Sequence, residues 1–150
     1  MADHATPDLR EILGRSHTVA TVGASTDLSK PAGGVPQFLK EIGFHVIPVN
    51  PNASEIFGDR SYASLLDIEE PVDVVQVFRP PKEAPGIARQ ASQIGAKVLW
   101  LQLEITSEEA RKIAERAGLD YVEDECMEQQ SRRFGIQKKA TSKEVPRPSN

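Results

Sequence analysis

The sequence has 150 residues with 18 basic and 22 acidic side chains, which gives a formal net charge of −4 at neutral pH. This balance argues against nonspecific binding to nucleic acid or to an anionic membrane surface. The single cysteine, Cys126, excludes an intrachain disulfide and any metal site built from several thiolates. Because the acidic N-terminus is unlike a secretory signal and no apolar run reaches the about 20 residues of a membrane span, we expect one cytoplasmic domain.

Hydrophobic periodicity and turn residues predict strands that alternate with helices. In chain order, the expected elements are a helix at 6–14, a strand at 17–23, a helix from about 34 to 43, a strand at 45–50, a short helix or turn at 61–68, a strand at 72–78, a helix at 81–95, a strand at 97–103, a helix at 106–118 and a strand at 120–123. Thr6 is the expected cap of the first helix, and Thr106 with Glu109 is the expected capping box of the last.

Strands joined through helices require right-handed crossovers and a parallel sheet. We therefore predict a Rossmann-like, three-layer α/β domain with a five-stranded parallel sheet over residues 1–137. Residues 138–150 are polar, contain two prolines and are predicted to form a disordered tail. Ligands of such sheets bind beyond the carboxyl ends of the strands. The loops expected at that edge are residues 23–30, 50–52, 78–81 and 102–106.

The first of these loops, residues 23–30, has the features of an anion site. Small residues let a ligand approach successive backbone amides, and a lysine adds a cation. The candidate residues are Gly23, Ala24, Ser25, Thr26 and Lys30. Because Gly33 and Gly34 follow only after a gap, the spacing differs from G-x-G-x-x-G and favours an irregular phosphate group over a nicotinamide dinucleotide. A plain strand-to-helix turn is the alternative.

The other loops add candidates for contact with a nucleotide. Asn50 stands where an NAD site favours Asp or Glu, and its amide does not repel a phosphate on the ribose. Arg79 can pair with phosphate and Phe78 can flank an adenine, although a surface arginine and a core aromatic fit equally well. Gln102 is an amide in an otherwise apolar strand, which suggests a ligand contact.

No catalytic set is evident in the sequence. His4, His17 and His45 have neither metal-ligand spacing nor the arrangement of a nucleophile with its base. Cys126 lies among acidic residues, which disfavour its thiolate. The residues therefore predict binding without chemistry and without a metal. Trp100 is expected in the core rather than as a stacking platform.

Several motifs together resemble the small bacterial CoA-binding domain family, which is similar to the N-terminal domain of the succinyl-CoA synthetase α subunit. The motifs, all within residues 13–133, are VGAS with KPAGGV, VIPVNP, VDVVQVFRP, GAKVLWLQL and EDECM. The resemblance implies that residues 23–30 hold the CoA phosphates. It also implies that Asn50 and Pro51, with Phe78, Arg79 and Pro80, surround the adenosine. Gln102 and the segment near Cys126 would face the pantetheine.

Two residues depart from the pattern that the resemblance implies. Glu104 stands where relatives have glycine, and Gln76 replaces an expected acidic residue. The synthetase domain that carries a phosphorylated histidine has no counterpart in these 150 residues, so ligase activity is not expected.

The first hypothesis is therefore noncatalytic binding of coenzyme A or an acyl-CoA, by a carrier, by a sensor or by a subunit whose protein partner supplies catalysis in trans. An NAD(P)-binding redox sensor or minimal oxidoreductase, and a ligand-free interaction module, are the alternatives. The 3′-phosphate of CoA agrees with the absence of an acidic residue at Asn50, while Glu104 favours the ligand-free alternative. Fold alone does not separate these functions.

Overall fold

The computed structural model describes residues 7–138. Five parallel strands form one sheet in the order β2-β1-β5-β6-β7, and a two-stranded antiparallel hairpin, β3-β4, stands apart from it. The strands are β1 (Thr18–Val22), β2 (His45–Val49), β3 (Glu55–Ile56), β4 (Asp59–Arg60), β5 (Val74–Val77), β6 (Val98–Leu101) and β7 (Asp120–Val122). The predicted Rossmann-like α/β class with a five-stranded parallel sheet is confirmed.

Helices cover both faces of the sheet. They are α1 (Leu9–Arg15), α2 (Pro31–Glu41), α3 (Ala84–Gln93), α4 (Glu108–Arg116) and α5 (Met127–Arg133), with 3-10 turns at Leu65–Asp67 and Pro81–Glu83. One apolar core lies under α1, α2 and α5, and a second lies under α3 and α4. The longest helix, α2, has 11 residues, and none of the helices described is long and apolar enough to cross a membrane.

Burial on both sides explains the continuous apolar strands, because a parallel sheet between two helical layers has no solvent face. All four residues of β5 and of β6 are buried, and Trp100 is fully buried as predicted. Strand β1 pairs with both β2 and β5. From β1 the chain first adds β2 on one side and then adds β5, β6 and β7 on the other side, so the direction of winding reverses between β1 and β5. The gap between the ends of β1 and β5 is therefore the topological switch point, where ligands of such sheets bind.

Two predicted helix caps are wrong. The Asp8 carboxylate accepts a hydrogen bond from the Glu11 amide at 3.2 Å and caps α1, while Thr6 lies outside the described residues. The Ser107 hydroxyl accepts from the Ala110 amide at 3.0 Å and caps α4, so the capping box of Thr106 and Glu109 does not form. The backbone of Ser107 is extended, which places the cap one residue later than the sequence spacing suggested.

The start of α2 is a further correction. The helix begins at Pro31 rather than near Gly34, since proline at the first position lacks only an N–H that would be unpaired there. The loop after β1 therefore ends at Lys30, and both glycines lie inside the first turns of the helix. The observed loop is therefore shorter than the one predicted from the sequence, because residues 31–34 belong to α2.

Two elements had no counterpart in the sequence prediction. The β3-β4 hairpin turns through Phe57 and Gly58, which both have positive φ, and a Phe at such a position is not a usual turn signal. The Lys40 ammonium fixes this hairpin to α2 by donating to the Phe57 carbonyl at 2.7 Å and the Asp59 carboxylate at 2.8 Å. Helix α5 is the second element, and it forms one wall of the site described below.

The predicted tail lies outside the described residues except for Lys138. The Lys138 amide donates to the Ile42 carbonyl at 2.8 Å, and its ammonium donates to the Leu13 carbonyl at 2.5 Å. Burial lowers the pKa of this ammonium below its ordinary value. Lys138 is thus packed against the domain.

Candidate functional site

Two clefts open at the carboxyl edge of the sheet. The large cleft, of about 1010 Å³, lies between α2, α5 and the loops that follow β1 and β6. The small cleft, of about 300 Å³, lies between the ends of β1, β2 and β5 and the start of α3. The first loop, residues 23–30, borders both, since Gly23 lines the small cleft whereas Leu28 and Lys30 line the large one.

Gly23 makes the sharp turn that the sequence predicted. Its φ is +90°, and its amide donates to the Val49 carbonyl at 2.9 Å. A Cβ atom on this residue would lie 2.9 Å from Cδ of Arg79. Glycine is therefore needed both for the backbone conformation and for the close approach of the Arg79 side chain.

The first loop is held by its own hydrogen bonds. The Ser25 amide donates to the Ala32 carbonyl at 3.0 Å, and the Ser25 hydroxyl accepts from the Asp27 amide at 3.0 Å. The Ser29 hydroxyl and amide both donate to the Asp27 carboxylate, at 2.6 and 3.0 Å. These bonds hold the pKa of Asp27 below its ordinary value, so the loop carries a carboxylate close to its candidate anion donors.

Four backbone amides in and beside the first loop form no hydrogen bond within residues 7–138. They are the amide of Ala24, which is buried, and the amides of Thr26, Leu28 and Ala32. Lys30 is exposed and lies at the start of α2, so its charge adds to these donors. These donors could together bind an anion, although the negative charge of the Asp27 carboxylate would repel it.

Gly33 and Gly34 shape the loop by packing. A Cβ atom on Gly33 would lie 2.3 Å from the Asp27 carbonyl oxygen, and one on Gly34 would lie 2.9 Å from the Leu28 carbonyl oxygen. The two glycines thus let the first loop lie directly on α2. The paired glycines are visible in the sequence, but their distance from Gly23 predicts a wider loop rather than close packing of the loop on α2.

Asn50 is a brace between β2 and the first loop. Its side-chain amide donates to the Ala24 carbonyl at 2.9 Å, and its side-chain oxygen accepts from the Asn52 amide at 2.8 Å. Its backbone amide donates to the Tyr62 carbonyl at 2.8 Å. Asn50 and the exposed Pro51 both line the small cleft, so a ligand there meets a side chain whose groups are already engaged.

Phe78 and Arg79 are neighbours in sequence but line different clefts. Phe78 is half-buried and lines the large cleft, whereas Arg79 lines the small cleft. The Arg79 guanidinium donates two hydrogen bonds to the Glu83 carboxylate, at 3.0 and 2.8 Å. This pairing raises the pKa of Arg79 and lowers that of Glu83. The charge that was predicted to meet phosphate is therefore balanced by a carboxylate in the same cleft.

Gln102 is the end of a buried polar row. Its side-chain oxygen accepts from the Met127 amide at 3.0 Å and from the side-chain amide of Gln76 at 3.1 Å. The oxygen of Gln76 in turn accepts from the Thr21 hydroxyl at 2.7 Å. Gln102 lines the large cleft, as its place at a strand end predicted. Thr21 and Gln76 were not recognised from the sequence as parts of the site, although a polar residue in a central apolar strand is a signal for it.

Glu104 occupies a position with the backbone conformation of glycine. Its φ is +69°, and its amide donates to the Asp124 carboxylate at 2.7 Å. This explains in physical terms why a glycine was expected there. The Glu104 carboxylate lies at the large cleft together with Leu103, and Leu103 and Leu28 expose 46% and 56% of their surface. The rim of this cleft is thus partly apolar.

The remaining candidates have simpler placements. Cys126 is buried, precedes α5 and lines the large cleft. Of the predicted site residues, those that lie outside the lining of both clefts are Ala24, Ser25, Thr26 and Pro80. Within residues 7–138, no group of three or more His, Cys, Asp or Glu side chains is placed to hold a metal ion.

Comparison with protein families identifies the family of this chain. A family model described as a CoA binding domain matches residues 17–130, which include the sheet, the small cleft, the lining of the large cleft except Arg132, and the first four residues of α5. The chain belongs to this CoA-binding domain family. The resemblance stated from the sequence motifs is confirmed, and the chain is homologous to the CoA-binding N-terminal region of ADP-forming acetyl-CoA synthetases.

Relatives of two kinds share the CoA-binding domain. The uncharacterized protein YneT of Bacillus subtilis is 32% identical over 127 residues, which cover 85% of this chain and 94% of YneT. The ADP-forming acetate–CoA ligase II of Archaeoglobus fulgidus is 36% identical over 115 residues, which cover 75% of this chain but only 17% of the ligase. A solved structure of a hypothetical protein from Pyrococcus horikoshii has a TM-score of 0.83 and 40% identity, and the match covers 85% of this chain and 90% of that chain.

Proposed function

We propose that this protein binds coenzyme A or an acyl-CoA across its two clefts and does not itself catalyse a reaction. The observation that carries this proposal is that one loop, residues 23–30, borders two clefts of unequal volume at the switch point of the sheet. CoA has a matching division into a compact nucleotide and a long pantetheine arm, joined by a diphosphate. Membership of the CoA-binding domain family supports this ligand.

The adenosine and its 3′-phosphate occupy the small cleft in this proposal. Pro51 offers an exposed apolar ring to the base, and Arg79, a cation in the lining of the small cleft, is the proposed partner of the ribose phosphate. We place the phosphate on the edge of the Arg79 guanidinium formed by Nε and Nη2, where it replaces the Glu83 carboxylate that now accepts a hydrogen bond from each of these nitrogens. Binding at this end is therefore an exchange of one anion for another.

The diphosphate lies along the first loop. Its proposed hydrogen-bond donors are the unpaired amides of Thr26, Leu28 and Ala32 and the ammonium of Lys30. Asp27 reduces the positive potential of the loop, since hydrogen bonds from Ser29 keep its carboxyl ionised. We expect micromolar rather than nanomolar affinity for this reason.

The pantetheine arm enters the large cleft. Phe78, Leu28 and Leu103 supply apolar surface there, and Gln102 supplies an amide. The A. fulgidus relative that is named as an acetate–CoA ligase is matched over only 17% of its length. We therefore propose that any acyl transfer requires groups from a protein partner, which would approach the apolar rim of this cleft.

Isothermal titration of the protein with CoA, dephospho-CoA, NAD and NADP tests the proposal. We expect micromolar binding of CoA, weaker binding of dephospho-CoA and no heat from either nicotinamide dinucleotide. Binding of NADP in preference to CoA would instead support a redox protein. Absence of binding to all four ligands would contradict the proposal and favour an interaction module.

A further inference from the structure

A row of polar side chains crosses the sheet beneath α2 and α5. Thr21 and Gln76 are 0% exposed, Gln102 is 3% exposed, and Thr21 and Gln76 are direct neighbours in the register of β1 and β5. The positions around them on this face belong to the apolar core, among them Val74 and Trp100. Buried polar groups in such a core are stable only when they are hydrogen-bonded, so each amide of the row needs a defined orientation.

The backbone fixes that orientation from one end. The Met127 amide is only a donor, so the Gln102 atom at 3.0 Å from it is the side-chain oxygen. The Gln76 atom that meets the same oxygen at 3.1 Å must then be its NH₂ group. The oxygen of Gln76 is left to accept from the Thr21 hydroxyl at 2.7 Å. Each hydrogen bond determines the next, from α5 to β1.

The NH₂ group of Gln102 is left without a protein partner. Of the side-chain nitrogen and oxygen atoms of residues 7–138, only His17 Nε2 and Ser131 Oγ are both buried from solvent and unpaired. The unpaired Nε2 of Gln102 is therefore reached by solvent. Gln102 lines the large cleft. A side chain that is almost wholly buried thus presents one donor group at the wall of this cleft.

We propose that Gln102 donates a hydrogen bond to an amide carbonyl of the bound ligand, and that Gln76 and Thr21 are positioning residues that hold its NH₂ group toward the cleft. The proposal rests on the proposed function, since the pantetheine arm of CoA supplies two such carbonyls. The large cleft would then select ligands that carry a neutral, amide-containing arm.

The charges around the cleft favour a neutral acceptor over an anion. Its lining includes the acidic residues Glu41, Glu104 and Glu128 and the basic residues Lys30 and Arg132. Because Arg132 donates to Glu128 at 2.9 Å, its charge is already balanced. A single neutral NH₂ donor beside these carboxylates matches a carbonyl oxygen better than a second phosphate.

The first test compares CoA with adenosine 3′,5′-bisphosphate, which lacks the pantetheine arm, by isothermal titration. Gln102→Glu keeps an oxygen for Met127 and Gln76 but replaces the NH₂ group with a second oxygen. We expect CoA to bind about 2- to 13-fold more weakly to this variant, the range for one lost hydrogen bond, and the bisphosphate to bind as before. Gln93→Glu is the control, because it makes the same change at an exposed position of α3 outside both clefts.

The second test addresses the positioning residues. Thr21→Val removes the hydroxyl that orients Gln76, whereas Thr21→Ser retains it. We expect the valine variant to bind CoA about 2- to 5-fold more weakly with unchanged binding of the bisphosphate, and the serine variant to bind like the wild type. Equal loss for both ligands in the valine variant, or no loss for CoA in Gln102→Glu, would overturn the proposal.

A measurement on the wild-type protein covers the case in which a variant fails to fold. The side-chain NH₂ resonances of Gln102 should shift in a ¹⁵N–¹H spectrum on addition of CoA and stay in place on addition of the bisphosphate. Unshifted resonances at saturating CoA would also overturn the proposal. If the wild type binds neither ligand, the proposed function fails and this inference fails with it, whereas binding of CoA with unchanged Gln102 resonances refutes this inference alone.

Discussion

The two clefts differ in how their polar groups are satisfied before a ligand binds. In the small cleft, Asn50 braces the first loop and Arg79 is paired with Glu83, so a ligand on the paired edge of the guanidinium must displace the Glu83 carboxylate. In the large cleft, the row that ends at Gln102 leaves one oriented donor unpaired. Mutation of Glu83, which competes with the ligand for Arg79, is therefore expected to raise the affinity of the small cleft for CoA. Mutation of the oriented row in the large cleft is expected only to lower it. The predictions below test this difference.

The largest effect is expected for Gly33→Ala. Its new Cβ atom would lie 2.3 Å from the Asp27 carbonyl oxygen, so the first loop must move away from α2. We expect a loss of about 1–3 kcal/mol in the free energy of unfolding by urea denaturation. Binding of CoA and of adenosine 3′,5′-bisphosphate should weaken together, because the loop borders both clefts.

Gly14→Ala is the matched control. No atom lies within 4 Å of its added Cβ, and the residue belongs to helix α1. This variant should be more stable than the wild type by about 0.5–1 kcal/mol. A Gly33→Ala protein of wild-type stability would show that packing of the loop on α2 does not require glycine.

Arg79 and Glu83 give the next largest effect and test the exchange of anions. Arg79→Ala should weaken CoA binding by about 1.5 kcal/mol, at the low end for a hydrogen bond to a charged group, because the pair with Glu83 is also lost. Glu83→Gln should strengthen CoA binding by about 1 kcal/mol, because the guanidinium is freed from its carboxylate. The measurement is isothermal titration in low and high salt, and both effects should shrink as salt screens the charges.

The opposite sign for Glu83→Gln would contradict the anion-exchange account. Dephospho-CoA serves as the ligand control, since it lacks the 3′-phosphate assigned to Arg79. Its affinity should change little in either variant. Equal changes in affinity for CoA and dephospho-CoA would indicate that Arg79 contacts a phosphate other than the 3′-phosphate.

The smallest effect is expected for Glu104→Gly. Glu104 has a φ of +69°, which is costly for a residue with a side chain and free for glycine. We expect a gain of about 0.5–1 kcal/mol in the free energy of unfolding, after the greater freedom of glycine in the unfolded chain is subtracted. Glu109→Gly, within helix α4, is the control and should lose about 1 kcal/mol. A destabilised Glu104→Gly protein would mean that its side chain makes a compensating contact.

The sheet was predictable because its signals are local. Runs such as the one that contains Val74, Val75 and Val77 are apolar and β-branched, and glycines such as Gly23 mark the turns that follow some of them. The helix ends were less predictable, since Thr106 and Ser107 are adjacent cap residues and only the backbone decides between them. Helix α5 was missed because it buries only Met127 and Ser131 and its other residues are polar.

The candidate site was predictable only as a set of loops. The rule for parallel sheets locates the ends of the strands, and the motifs identify the family, but neither shows which partners are already engaged. That Thr21 meets Gln76 depends on strand register between residues 55 apart, and that Asn50 is used by the Ala24 carbonyl depends on the path of the loop. These long-range pairings determine which donors remain for a ligand.

The most direct test of the division between the clefts is a crystal structure of the protein with CoA bound. The account predicts the adenosine in the small cleft beside Pro51, with the 3′-phosphate on Arg79 and Glu83 displaced. It predicts the pantetheine arm in the large cleft, with an amide carbonyl within hydrogen-bond distance of the Gln102 NH₂ group. Adenosine in the large cleft, or a ligand confined to one cleft, would contradict it.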